Sequence, residues 1–172
     1  MKGLMVDCSR NAVMNLTALK RFVKLISALG YDTLMLYTED TYEVDNQPYF
    51  GYLRGRYSLK ELKEADAFCR ENGVELVPCI QTLAHLNAMF KWINQYGCIN
   101  DTADILLADD DRTYKLIDEM LATLAECFTT RKIHIGMDEA YMVGLGKYRD
   151  KHGDTDRFEI INRHLHKVCD MA

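Results

Sequence analysis

The residues best equipped for chemistry in this chain are two adjacent carboxylates, Asp138 and Glu139, within Lys132-Ile-His-Ile-Gly-Met-Asp-Glu-Ala140. Carboxylates this close repel each other, so they can hold different protonation states: one stays ionised while the other acts as an acid near neutral pH. The bland alternative is an acidic pair at a helix N-terminus, interacting with the helix dipole. The pair follows the short apolar run Ile133 to Gly136, and Gly136 permits close approach of a ligand or a neighbouring backbone. Other polar residues gather at equivalent places. Asp7, Ser9 and Arg10 follow a first apolar run, Glu39 and Asp40 a second, and Gln81 and His85 a third. In a parallel α/β fold these places share one edge, at the C-terminal ends of the strands, where such folds put their active sites.

The elements that must position them read as short apolar runs alternating with amphipathic helices. The runs are Gly3 to Asp7, Thr33 to Tyr37, Val74 to Ile80 and Ile133 to Gly136. Pro78 has no ladder donor and is placed near its strand's end. Asn15 is a plausible N-cap for a first helix with Leu19, Phe22, Val23, Ile26 and Leu29 inward, ending at Gly30. Ser58 and Glu61 form a capping box for a second, with Leu62, Ala65 and Cys69 inward and Asn72-Gly73 as its stop. A third helix turns Ile117, Met120, Leu121, Leu124 and Phe128 to the core. The last turns Phe158, Ile161, Leu165 and Val168 inward. Four βα units with a parallel sheet follow. Periodicity alone leaves an open doubly wound sheet and half of an eight-stranded barrel both standing. The first βα turn lacks GxGxxG, which weakens a dinucleotide-binding reading.

Two connections are long, about residues 38–57 and 81–109, and loops of that length are usually functional or disordered. The first holds Tyr42, Tyr49, Phe50, Tyr52 and Tyr57, an aromatic content suited to stacking on sugar faces. His134 reads as structural, packed or hydrogen-bonded, and Trp92 as either a cleft or a packing residue. His164 and His166, two apart on a helix, face different ways, which argues against a metal site there.

The 172 residues suffice for one domain with a real core, and 48% apolar with 27% charged residues is ordinary for a globular protein. A net charge of -5 without a basic stripe argues against a nucleic-acid surface. No apolar run is long enough for a membrane span, and no signal peptide is visible. Six irregularly spaced cysteines without a CxxC pair read as reduced core residues of a cytoplasmic protein, and zinc is not expected.

The segment His134-Ile-Gly-Met-Asp-Glu139 resembles the H-x-G-G-D-E signature of family 20 β-N-acetylhexosaminidases, with Met137 in place of the second glycine. Gly3-Leu-Met-Val-Asp-Cys-Ser-Arg10 resembles the family's first barrel strand and its arginine. Tyr37-Thr-Glu-Asp40, with Arg54-Gly-Arg-Tyr57, looks like the bacterial intracellular branch. Val77-Pro-Cys-Ile-Gln-Thr-Leu-Ala-His85 resembles the third strand and its histidine. The resemblance implies the N-terminal half of a (β/α)8 barrel over residues 1–172, with strands five to eight absent. It implies hydrolysis of terminal N-acetylhexosamines with retention and no cofactor, the substrate's own 2-acetamido oxygen attacking C1. Asp138 would orient the acetamido group and Glu139 would act as acid and base. Arg10 would grip sugar hydroxyls, and Asp40 and His85 would form a pair supporting Glu139. Such a half barrel is expected to be weakly active or inactive and to form a homodimer or higher oligomer through exposed edges. A metal-dependent barrel hydrolase and a non-catalytic sugar-binding or assembly module remain as alternatives.

Overall fold

The computed structural model describes residues 2–172. They form two compact units. The first comprises residues up to Ile80 with Thr123–His134; the second comprises Gln81–Ala122 with Ile135–Ala172.

In the first unit, β1 (Gly3–Asp7), β2 (Thr33–Tyr37) and β3 (Glu75–Cys79) make a parallel sheet in the order β1-β2-β3. Gly3 pairs with Thr33 and Thr33 with Glu75, so the three strands end in step at Asp7, Tyr37 and Cys79. Helices α1 (Leu16–Ala28) and α2 (Leu59–Glu71) connect them, and α2 packs on both α1 and β3. The Asn15 side chain accepts from the Ala18 N–H, and Ser58 with Glu61 closes the expected capping box. Each such cap is worth about 1 kcal/mol. Leu19, Val23 and Ile26 are buried on α1, and Leu62, Ala65 and Cys69 on α2. Leu29 is exposed because it caps α1 from outside the last turn.

The fourth apolar run forms no ladder. His134 makes a single parallel bridge with Cys79, its N–H donating to Pro78 O and its carbonyl accepting from Ile80 N. At Gly136 the chain leaves extended geometry with φ 53°. The His134 role is thus carried by the backbone, while its side chain is exposed.

In the second unit, the long connection after β3 is not irregular. It holds α3 (Asn87–Phe90), α4 (Ile93–Tyr96), a 3-10 turn (Gly97–Ile99) and the antiparallel pair β4 (Asn100–Thr102) and β5 (Ile105–Leu106). Helix α5 (Asp111–Cys127) begins in this unit; its predicted inward residue Phe128 lies past its end and is half-buried. After α6 (Lys147–His152), α7 (Arg157–Met171) completes the unit. Leu83, Ala84, Ile105, Leu107, Val143, Tyr148 and Ile160 share one apolar core.

On α7 the inward face is Ile160, His164 and Val168, with Phe158 64% and Leu165 37% exposed. The expected stripe was offset because a histidine occupies the buried line. That histidine is fully hydrogen-bonded, which removes the cost of burying it. Cys8, Cys69, Cys79 and Cys127 are buried, whereas Cys98 and Cys169 are exposed, so the cysteines are not uniformly core residues. Among the described residues no helix is long and apolar enough to cross a membrane.

Candidate active site

The ends of β1 and β2 carry a dense set of charges in the first unit. Asp7 accepts from the Ser9 N–H and hydroxyl, each at 2.8 Å, and from Arg10 Nη1 at 2.9 Å. Partial burial works to raise the Asp7 pKa, but the bonds from Ser9 and Arg10 outweigh it and hold the carboxyl down at about 2. Arg10 also lies over the Tyr37 ring, 5.2 Å from its centroid. Its side chain is 60% exposed. Asp40 is buried and accepts from Arg54 Nε at 3.1 Å. Arg54 Nη2 also donates to Ser9 O at 2.7 Å and stands 3.8 Å from Glu39 Oε2, while Tyr37 donates its hydroxyl to Glu39 Oε1. Gly51, at φ 64°, makes this arrangement possible: a Cβ there would fall 1.9 Å from Asp40 O.

The aromatic loop divides by role. Tyr42, Phe50 and Tyr57 are buried, with Tyr42 and Phe50 edge to face at 5.3 Å, so they hold the loop rather than offering faces to a sugar. Tyr49 and Tyr52 remain exposed.

The second unit assembles the acid pair. Gln81 Nε2 donates to Asp138 Oδ1 at 2.9 Å. His85 Nε2 lies 3.3 Å from Asp138 Oδ2 and 3.6 Å from Glu139 Oε2, without the alignment of a regular hydrogen bond. The His85 side chain is 13% exposed and both carboxylates are 59% exposed. Burial pushes the Asp138 pKa up, but Gln81, its own backbone amide and His85 together hold it below the usual carboxylate value. These contacts favour the charged form of Asp138.

The backbone is strained at both ends of this group. His85 has φ 61° and Glu139 φ 57°. Left-handed geometry at non-glycine residues costs on the order of 1–3 kcal/mol each and persists only where the surroundings impose it. The His85 N–H donates to Asp104 Oδ2 at 3.0 Å, and the Glu139 carbonyl accepts from Tyr141 N at 2.7 Å.

Of the five residues singled out from the sequence, His85, Asp138 and Glu139 thus come together in one unit. Arg10 and Asp40 belong to the other unit, on neighbouring strand ends but with different partners, Asp7 and Arg54. The residues that sequence reasoning left without a role are Arg54, Gln81 and Asp104. Gln81 stood next to a strand end and could have been given one. Asp104 could not, because it acts on a backbone amide.

The profile of glycosyl hydrolase family 20, catalytic domain, matches residues 1–158. The chain belongs to that family. It is 23% identical to a β-hexosaminidase of Akkermansia muciniphila over 81% of this chain and 34% of that protein. It is 27% identical to human hexosaminidase D over 80% of this chain and 29% of that protein. The chain spans about a third of the length of the curated relatives it matches. The exo β-N-acetylglucosaminidase of Vibrio harveyi, solved with N-acetylglucosamine, superposes with a TM-score of 0.84 at 19% identity, over 99% of this chain and 34% of that one. A chitobiase of Flavobacterium johnsoniae does so at 0.81, over 99% of this chain and 29% of that one. The fold is accordingly α/β, part of a (β/α)8 barrel.

Proposed function

We propose that the protein hydrolyses terminal β-linked N-acetylhexosamines with retention, the substrate's 2-acetamido oxygen serving as nucleophile. The observation that carries this reading is the convergence of His85, Asp138 and Glu139 within 3.6 Å, in a chain of this family. The ionised Asp138 orients the acetamido N–H and offsets the positive charge of the oxazolinium-like intermediate. Glu139 protonates the departing glycosidic oxygen and then takes a proton from the incoming water. Intramolecular attack removes much of the entropic barrier. By the family resemblance, Arg10 supplies forked donors to sugar hydroxyls, and Asp40 and His85 support Glu139.

The test is hydrolysis of a β-linked N-acetylglucosaminyl disaccharide by the protein at its full natural length. Glu139→Gln should lower kcat about 10²–10⁴-fold, the usual share of general acid–base catalysis. An unchanged kcat would sink the assignment. The 172 residues alone are expected to be weakly active, because they span only about a third of the length of these relatives.

Self-association through exposed apolar surface belongs to the same reading. Met5 on β1 is exposed, and so are Phe158 and Leu165 on α7. Sedimentation showing a monomer at high micromolar concentration would overturn it. A reducing, cytoplasmic setting is proposed on the six free thiols.

A further inference from the structure

His164 is 0% exposed, yet it belongs to no part of the site described so far. Its hydrogen bonds determine its tautomer. Nε2 lies 2.8 Å from the Thr82 carbonyl oxygen, which can only accept, so Nε2 carries the proton. Nδ1 is then an acceptor, and the Tyr114 hydroxyl, 3.1 Å away, donates to it. The Tyr114 oxygen in turn accepts from the Asp109 N–H at 3.3 Å. Burial lowers the His164 pKa and keeps the ring neutral, as this polarised chain requires.

Thr82 is where the chain ends, and it is also the joint of the candidate site. Its N–H donates to Gly136 O at 3.0 Å, two residues before Asp138. Its neighbour Gln81 holds Asp138, and His85 follows three residues later. The Leu83 carbonyl accepts from Leu106 N, so residues 82 and 83 are gripped from two sides.

We propose that His164 is a positioning residue for the acid pair: with Tyr114 it clamps the Thr82 carbonyl and so sets Gln81 and His85 against Asp138 and Glu139. This rests on the glycosidase reading for its effect on turnover. It explains why a histidine occupies the inward line of α7, where a leucine would serve packing alone. An apolar residue there would leave the Thr82 carbonyl and the Tyr114 hydroxyl without these partners in the core.

The experiment compares Tyr114→Phe, His164→Leu and His164→Gln in the protein at full natural length. One readout is the carbon-13 carboxyl titration of Asp138, assigned through Asp138→Asn; the other is kcat and KM on the disaccharide. Tyr114→Phe and His164→Leu should move the Asp138 midpoint up toward that of a free aspartate, as the Gln81 bond loosens. They should lower kcat about tenfold, the scale of a small misplacement of catalytic groups, with KM within about twofold. His164→Gln can both donate to Thr82 O and accept from Tyr114, and should restore most of both readouts. If His164→Leu does not fold, Tyr114→Phe and His164→Gln carry the test. Wild-type values for Tyr114→Phe, or no advantage of Gln over Leu where both fold, would overturn the proposal. The carboxyl titration needs no turnover, so it judges the clamp even if Glu139→Gln shows the glycosidase reading to be wrong.

Discussion

The charged residues after β1 and β2 differ in kind from those around Glu139. In the first unit the charges at the strand ends are answered at short range: Arg10 by Asp7, and Asp40 by Arg54. Asp40 is buried and its guanidinium partner also ties down a backbone carbonyl. In the second unit the two carboxylates are mostly exposed, share one loosely aligned histidine, and are flanked by left-handed backbone. The first arrangement is a frame whose charges are neutralised by neighbouring side chains. The second keeps unspent hydrogen-bonding capacity and stored strain, as expected where charge must develop during a reaction.

This contrast can be broken. Arg54→Met should cost about 3 kcal/mol in urea denaturation, because it takes a guanidinium partner away from a buried carboxylate. Arg10→Ala, removing an exposed partner, should cost no more than about 1 kcal/mol. Equal losses would mean that the two arginines are not distinguished by burial. A smaller effect sharpens the picture of the loop behind Asp40. Gly51→Ala should destabilise by about 2–3 kcal/mol, since it combines a left-handed φ with collision against Asp40 O. Gly55→Ala, at φ 67° with open space around it, should cost about 1 kcal/mol. The smallest effect concerns acid. The Asp7 pKa is depressed when folded, so its contribution is full above the ordinary value of 3.8 and is lost as pH falls toward about 2. Asp7→Asn should flatten the fall in stability across that window, and an unchanged slope would show that its hydrogen bonds contribute nothing net.

Much of this was legible before any coordinates. Gly3 to Asp7 and Thr33 to Tyr37 were read to the residue, and Asn15 and the Ser58–Glu61 box cap the helices they announced. The acid pair stood out by its type, its place after an apolar run and the surrounding motif. The fourth run looked like the other strands but makes only one bridge. Its composition is that of a strand, and the turn at Gly136 depends on what the chain does next.

The sequence by itself determined the local signals: caps, stops, apolar runs and the order in which reactive residues follow them. These act within a few residues, where side chain and backbone meet without help from elsewhere. Tertiary structure alone decided which arginine would meet a buried carboxylate, which aromatic residues would close the 38–57 loop, and that α7 would turn His164 rather than Phe158 to the core. Each depends on hydrogen-bond partners brought from far along the chain, Thr82 to His164 being 82 residues apart. Burying a polar group is favourable only once such partners are in place, and hydrophobic periodicity carries no record of them.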